Sequence, residues 1–355
     1  MELTRLEVAS STPAGRGAEI GSTCAAEVRG VVAGYLDFFE LIGIPHDRVL
    51  ATASASLSAL RSWRPGLAEE LRAMADAARL PLEELAAVAA RTEVLAASAK
   101  PARECSTFVH APPAPEPIVT MQTWDWHGEL APRGLVLRCR SDAGHEVRLF
   151  TEFGMPGKIG VNSAGIGVHF NILTHVSDSA EGGVPVHAVA RAILDEAESI
   201  ADAEAIVRSA ALSASTVFTV FGGVEDVRAV SIEASPAGVA VVEPVEGVLV
   251  HTNSFLDPAL AAGDTDAPDA LSAERLDHLR EVAPNLVGGD VAARAAAFAG
   301  TAGEAAVVCF HDPQTVPVQD RWATLLTVGV DVDACRLLVS PHPPPAAARA
   351  GFDVV

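Results

Sequence analysis

Apolar positions fall into a helical rhythm early in the chain. Leu67, Leu71 and Met74 recur at i, i+4 and i+7, with Glu69, Glu70, Arg72 and Asp76 on the other faces. Pro81 opens a second run, Leu-Glu-Glu-Leu-Ala-Ala-Val, at a place where proline suits the first helical turn. An earlier helix is expected over about 18–42, before Gly43 and Pro45, so the first hundred residues read as helical. From Cys105 the rhythm changes. Segments 105–109, 118–126, 134–140, 145–152 and 158–173 are rich in β-formers and broken by Gly, Pro and Asp, as strands are. Helix returns over 185–211, where Val189, Ile193 and Ala197 share a face. Strands are expected at 215–221, 226–233, 238–243 and 247–252, and helices at 272–283 and 288–300 after a polar loop. Strands at 305–310, 322–331 and 335–339 follow, and the Pro-rich tail 341–348 reads as extended and exposed. Helices first, then antiparallel strands, a helical layer and more strands indicate an α+β layered fold rather than a doubly wound parallel sheet.

Composition narrows the function. Of 355 residues, 49% are hydrophobic and 20% charged, which is ample for a large core. Acidic residues number 46 against 25 Lys and Arg, a net charge of −21. That balance argues against nucleic acid or an anionic membrane as partner, since both need clustered positive charge. Cys24, Cys105, Cys139, Cys309 and Cys335 are scattered and include no Cys-x-x-Cys, so neither a disulfide framework nor a zinc site is expected. The histidines supply no His-x-x-x-His pair on a helix, so no metal is assigned and no cofactor is expected. The most apolar stretch, 236–252, contains Glu243, Pro244 and Glu246 and is no membrane span. The opening residues have no apolar core of a signal peptide, which leaves a soluble cytoplasmic protein as the default expectation. The glycine-rich run 157–167 lacks the Gly-Lys-Ser/Thr ending of a phosphate loop. Its glycines read as bulges or close backbone approaches in a sheet.

One cysteine stands apart. Cys105 opens the run Cys-Ser-Thr-Phe-Val, and Trp-Asp-Trp (124–126) follows after His-Ala-Pro-Pro-Ala-Pro-Glu-Pro. Those prolines cannot continue a central strand, so the segment reads as a hairpin. If the hairpin is symmetric about Pro115, Cys105 and Asp125 lie opposite each other, with Cβ atoms about 4.5–5.5 Å apart. A thiol at the head of a strand, faced by a carboxylate, suits a cysteine nucleophile with a free α-amino group. The preceding residues 97–104 look like an exposed, cuttable connector.

Further pieces fall into a recognisable order. Arg91-Thr92-Glu93, Cys-Ser-Thr (105–107), Thr-Trp-Asp-Trp (123–126), and Gly157, Gly160, Asn162, Gly165 and Asn171 come first. Pro185 with Arg191, His-Thr-Asn-Ser-Phe (251–255), Thr324 and Asp331 complete the series. In this order and spacing, from about residue 20 to 331, the chain resembles the acyl-coenzyme A:6-aminopenicillanic-acid acyltransferase (isopenicillin-N acyltransferase-like) family of N-terminal-nucleophile hydrolases. The resemblance implies a four-layer αββα sandwich and self-cleavage between Glu104 and Cys105. The products would be a helical α chain, 1–104, and a nucleophile-bearing β chain, 105–355, co-folded as one αββα domain. It further implies a small-molecule amide or thioester substrate, an α/β heterodimer from one precursor, and a thioester on Cys105. Asp125 would hold the α-amino group, and Asn253 would donate to the oxyanion. Trp124, Trp126 and Asn171 are possible supporting residues.

The chain also departs from that family's pattern. Glu104 replaces the usual glycine before the nucleophile, Thr123 the usual Asn, and Ser254 the usual His. Phe310 stands where an arginine is common, with Arg321 as a possible stand-in. Two other readings are therefore open: an unprocessed binding or scaffold protein, and a conventional thiol hydrolase with His251 or His311 as base. Oligomeric state beyond the heterodimer is left open.

Overall fold

The computed structural model describes residues 1–98, 105–223, 228–265, 271–311 and 315–355. The chain starts with a strand, β1 (Glu2–Glu7), which the helical reading of this region did not anticipate. Six helices follow: α1 (Pro13–Thr23), α2 (Ala25–Leu41), α3 (His46–Trp63), α4 (Pro65–Ala78), α5 (Leu82–Ala89) and α6 (Arg91–Leu95). The single helix expected over 18–42 is two. Pro13 starts α1 under a cap from the Thr12 hydroxyl, and Cys24 leaves helical geometry at the joint with φ −110° and ψ 29°.

Strands β2 (Ser106–His110), β3 (Val119–Trp126), β4 (Arg133–Arg140), β5 (Glu146–Thr151), β6 (Ile159–Asn162) and β7 (Ile166–Ile172) come next. The turn between β6 and β7 is built by Asn162, whose side-chain oxygen accepts the Ala164 and Ile166 N–H groups, with Gly165 at φ +84°. Helices α7 (Val186–Glu196) and α8 (Ile200–Ser209) divide the expected 185–211 helix, with Ser199 capping the second. Then come β8 (Thr216–Gly222), β9 (Ala229–Ser235), β10 (Gly238–Val242), β11 (Val248–His251), α9 (Pro258–Ala261), α10 (Ser272–Val282) and α11 (Val291–Ala299). The chain closes with β12 (Ala323–Asp331), β13 (Arg336–Ser340), α12 (Pro344–Ala350) and β14 (Asp353–Val354).

Among the described residues these strands form two sheets, ordered β1-β4-β5-β6-β7-β8-β9-β10 and β11-β2-β3-β12-β13-β14. Pairing is antiparallel except for β1 on β4. The sheets meet face to face through β2 on β7, β12 on β6 and β13 on β5. Outside the first sheet lie α7 on β6 and β7, and α8 on β8 and β9; outside the second lies α10 on β2 and β11. The architecture is the α+β, four-layer αββα sandwich. Close approach explains two glycines: a Cβ on Gly160 would meet the Leu194 side chain of α7 at 2.7 Å, and one on Gly157 the Arg191 backbone at 3.2 Å.

Two expected elements are corrected. The strand at 305–310 does not form. Thr324 donates its N–H to the Phe310 carbonyl at 3.0 Å, but its hydroxyl takes the Phe310 N–H at 2.9 Å, so a side chain closes the bond a ladder would need. The tail is not extended: Pro344 begins α12, where its missing N–H costs nothing, and Ala347 is buried with Phe298 and Leu286 in the outer core.

Candidate active site

The β2–β3 hairpin carries Cys105 and Asp125, in a register one residue away from the symmetric one. Ser106 pairs with Thr123 and Phe108 with Met121, so Cys105 lies beside Trp124, not Asp125. Asp125 instead pairs with Thr324 on β12. A one-residue change turns alternate side chains to opposite faces. Trp124 and Trp126 point into the core between the sheets, whereas Asp125 sits on the face covered by α10. The Pro-rich loop has eight residues between the strands, an even number that a symmetric turn about one proline does not admit.

Cys105 is fully buried and adopts φ +65°, a left-handed conformation that costs a non-glycine residue about 1–3 kcal/mol. Its carbonyl oxygen accepts two side-chain donors, Arg275 Nη1 at 2.8 Å and Asn171 Nδ2 at 3.1 Å. Asn171 is itself fixed, since its oxygen accepts from the Thr107 hydroxyl at 2.7 Å and from Gln122 Nε2 at 3.1 Å. Asp125 accepts a 2.6 Å hydrogen bond from the Thr324 hydroxyl. Burial pushes its carboxyl up to about 6, against the pull of Arg275, Thr324, the Cys105 N–H and the Thr123 hydroxyl. The carboxylate thus faces the nitrogen that cleavage would turn into an α-amine.

Asn253 follows β11 and lies within the same cluster. Its Nδ2 donates to the Ile172 carbonyl at 2.7 Å and its oxygen accepts Arg275 Nη2 at 2.6 Å. The arginine at the site is therefore Arg275, buried on α10. Arg321, the stand-in suggested by sequence, donates to the Val316 carbonyl and pairs with Glu129 in a partly exposed bridge at 3.2 Å. Its backbone follows a short turn, Val318–Asp320. Arg275 carries no separate mark in the sequence beyond the Ser272 that starts its helix. The guanidinium lies 5.7 Å from the centre of the Phe310 ring.

The tryptophans serve from below. Trp124 packs edge-on against Phe150 and under the Lys158 ammonium at 4.0 Å. Trp126 donates to the Tyr35 hydroxyl at 2.8 Å, and the Arg91 guanidinium stacks on its ring at 3.8 Å. His251 is held at 2.8 Å by Glu233 and by its contact with the Thr252 carbonyl at 3.1 Å, and His311 sits near the surface on the Glu304 carbonyl. Burial pushes the Cys139 and Cys309 thiols up to about 12, with Asp125 adding to the effect at Cys309, so neither is an available nucleophile. Glu104 lies outside the described residues. Among the described residues no three metal-ligating side chains cluster. No described helix is long and apolar enough to cross a membrane.

The sequence signature of the acyl-coenzyme A:6-aminopenicillanic acid acyl-transferase family matches residues 114–312, more than half of the chain. The chain belongs to this family. Emericella nidulans has a relative, the acyl-coenzyme A:6-aminopenicillanic-acid-acyltransferase 40 kDa form, which is 28% identical over 277 residues and covers 75% of each chain. Among solved structures, a mutant conjugated bile acid hydrolase from Clostridium perfringens aligns with TM-score 0.43 and 13% identity, over 70% of this chain and 92% of its own. Penicillin V acylase from Agrobacterium tumefaciens aligns with TM-score 0.44 and 14% identity, over 67% and 83%. The family match begins after Cys105 and does not include it.

Proposed function

We propose that this protein is a cysteine amidohydrolase or acyltransferase, matured by cleavage before Cys105, that acts on small N-acyl or aminoacyl amides or thioesters. The observation that carries this reading is the setting of Cys105: left-handed backbone, N–H toward Asp125, carbonyl held by Arg275 and Asn171. Strain at the residue that follows a scissile bond favours its rupture.

An unperturbed α-amine titrates near 7.7–8.0 and an unperturbed thiol near 8.5, so an α-amine is chemically suited to accept the proton of its own residue's thiol. The thiolate sulfur adds to the substrate carbonyl carbon while the α-amine holds the thiol proton. Asn253 Nδ2 has two hydrogens, of which the Ile172 carbonyl takes one; the other is available to the oxyanion. Collapse expels the amine, which leaves with the proton, and a thioester remains on Cys105. Water or a second amine then attacks the thioester and regenerates the thiol. Asp125 orients the α-amino group and balances its charge when it is protonated.

The α chain, 1–104, would stay bound after cleavage. Arg91 in α6 donates to Glu152 beyond β5 at 2.7 Å, and Glu70 in α4 bonds Arg191 in α7 at 2.9 Å, both buried and both across the two products. Intact mass under denaturing conditions tests the reading. Two species, the larger beginning at Cys105, support it. A single uncut species that persists on incubation supports an unprocessed scaffold instead.

A further inference from the structure

We propose that Arg275 is a positioning residue that fixes the Asn253 amide in one orientation and ties it to the nucleophile's backbone, presenting oxyanion donor and nucleophile as one unit. The inference rests on the functional reading above. A guanidinium has donors only, so the Asn253 atom at 2.6 Å from Nη2 is the amide oxygen. The opposite contact is the Ile172 carbonyl, an acceptor only, which takes a hydrogen from Nδ2 at 2.7 Å. Both partners demand the same orientation. Without the arginine, one of those demands disappears and only the Ile172 carbonyl still holds the amide, which loosens its placement toward the oxyanion.

The second half of the argument is the mount. Nη1 of the same guanidinium bonds the Cys105 carbonyl at 2.8 Å and the Ser106 hydroxyl at 3.1 Å. One turn earlier on α10, Ser272 accepts the Asn253 backbone N–H at 3.0 Å. Its hydroxyl also meets those of Thr252 at 2.9 Å and Ser254 at 2.8 Å. Positions i and i+3 share a helix face. One face of α10 therefore holds the Asn253 loop by backbone and side chain and the Cys105 strand by its carbonyl. The arginine is buried, and the Phe310 ring flanks it. Its charge also opposes the upward push of burial on Asp125.

Arg275→Ala and Arg275→Gln test the proposal on the full chain, with intact mass, thermal melting and hydrolysis of p-nitrophenyl acetate as readouts. We expect kcat to fall about 10²-fold with KM little changed, as misplacement of a donor by about an ångström does. Added guanidinium should restore part of the rate to the alanine variant; Arg275→Lys should retain little, because the new side chain lacks the planar fork. A folded alanine variant with unchanged kcat, or a loss that follows melting temperature alone and ignores guanidinium, overturns it. Selective ¹⁵N-Asn labelling gives a readout independent of turnover. The Asn253 side-chain amide pair should shift or broaden in Arg275→Ala, and unchanged resonances overturn the proposal even if Cys105 proves not to be the nucleophile. Conversely, an inert wild-type protein with a responsive Asn253 refutes the enzymatic reading and leaves the arginine's positioning role supported.

Discussion

The Thr324 hydroxyl donates to the Asp125 carboxylate at 2.6 Å, joining β12 to β3 on the face where the Cys105 N–H also points. This buried carboxyl has few ways to stay ionised. Burial lifts it to about 6, and Thr324, Thr123, the Cys105 N–H and Arg275 limit the rise.

A pH dependence follows from that balance. If ionised Asp125 serves the α-amino group, turnover should fall as pH drops through about 6, or somewhat lower once the α-ammonium stands beside it. Thr324→Val removes a donor to the carboxylate, a bond worth about 1.5–3 kcal/mol, so the acid limb should move up by about one pH unit or more. A pH–rate profile of both proteins checks this; coincident limbs would detach Asp125 from the reaction. Asp125→Asn should abolish the limb.

Asn253→Ala should lower kcat by about 10²–10³-fold while the fold survives, the usual consequence of losing one oxyanion donor. Steady-state kinetics on a hydrolysed amide, with circular dichroism as the control for folding, decides it. A variant with wild-type kcat would remove Asn253 from the mechanism.

Arg321→Ala should leave both maturation and turnover nearly unchanged. Its pairing with Glu129 is partly exposed at 3.2 Å, and such pairs contribute about 0–1 kcal/mol. A large loss of rate would restore Arg321 to the site.

Arg91→Ala should destabilise the fold by up to about 3–5 kcal/mol, because it leaves the buried Glu152 carboxylate with only the Tyr35 hydroxyl at 3.0 Å and Lys158 at 3.9 Å, and removes the guanidinium stacked on Trp126. The double variant Arg91→Met with Glu152→Leu should lose less than the single one. Denaturant midpoints of the three proteins measure the difference.

Glu93 titrates in the opposite sense to a salt-bridged acid. Its carboxyl accepts the Val186 N–H at the start of α7, yet burial pushes it up to about 8. The folded chain binds this proton more tightly than the unfolded one. The associated stability, on the order of a few kcal/mol, is full below about 4.5 and is lost as pH rises through about 8. Glu93→Gln keeps an acceptor for Val186 but cannot ionise, so its melting temperature should decline less between pH 5 and 9. Parallel curves for variant and wild type would contradict this.

The sequence by itself determined the layered α+β class, the strand–helix–strand order after Cys105 and most element positions, because apolar periodicity reports which face of an element is buried. The hairpin pattern singled out Cys105 and Asp125, and the family resemblance added Asn253 and, as a possible supporting residue, Asn171. Hairpin register escaped it. The Pro-rich loop does not dictate its own symmetry, and the register is set by which face of β3 buries Trp124 and Trp126. β1 escaped too, because its partner β4 lies far along the chain and supplies the hydrogen bonds that make six mixed residues a strand. The tertiary structure alone decided which arginine reaches the site. Arg321 is near Thr324 in sequence but bonds Val316 and Glu129, whereas Arg275 arrives from another layer. Side-chain convergence on Cys105 depends on how α10 lies across β2 and β11, and no local pattern encodes that.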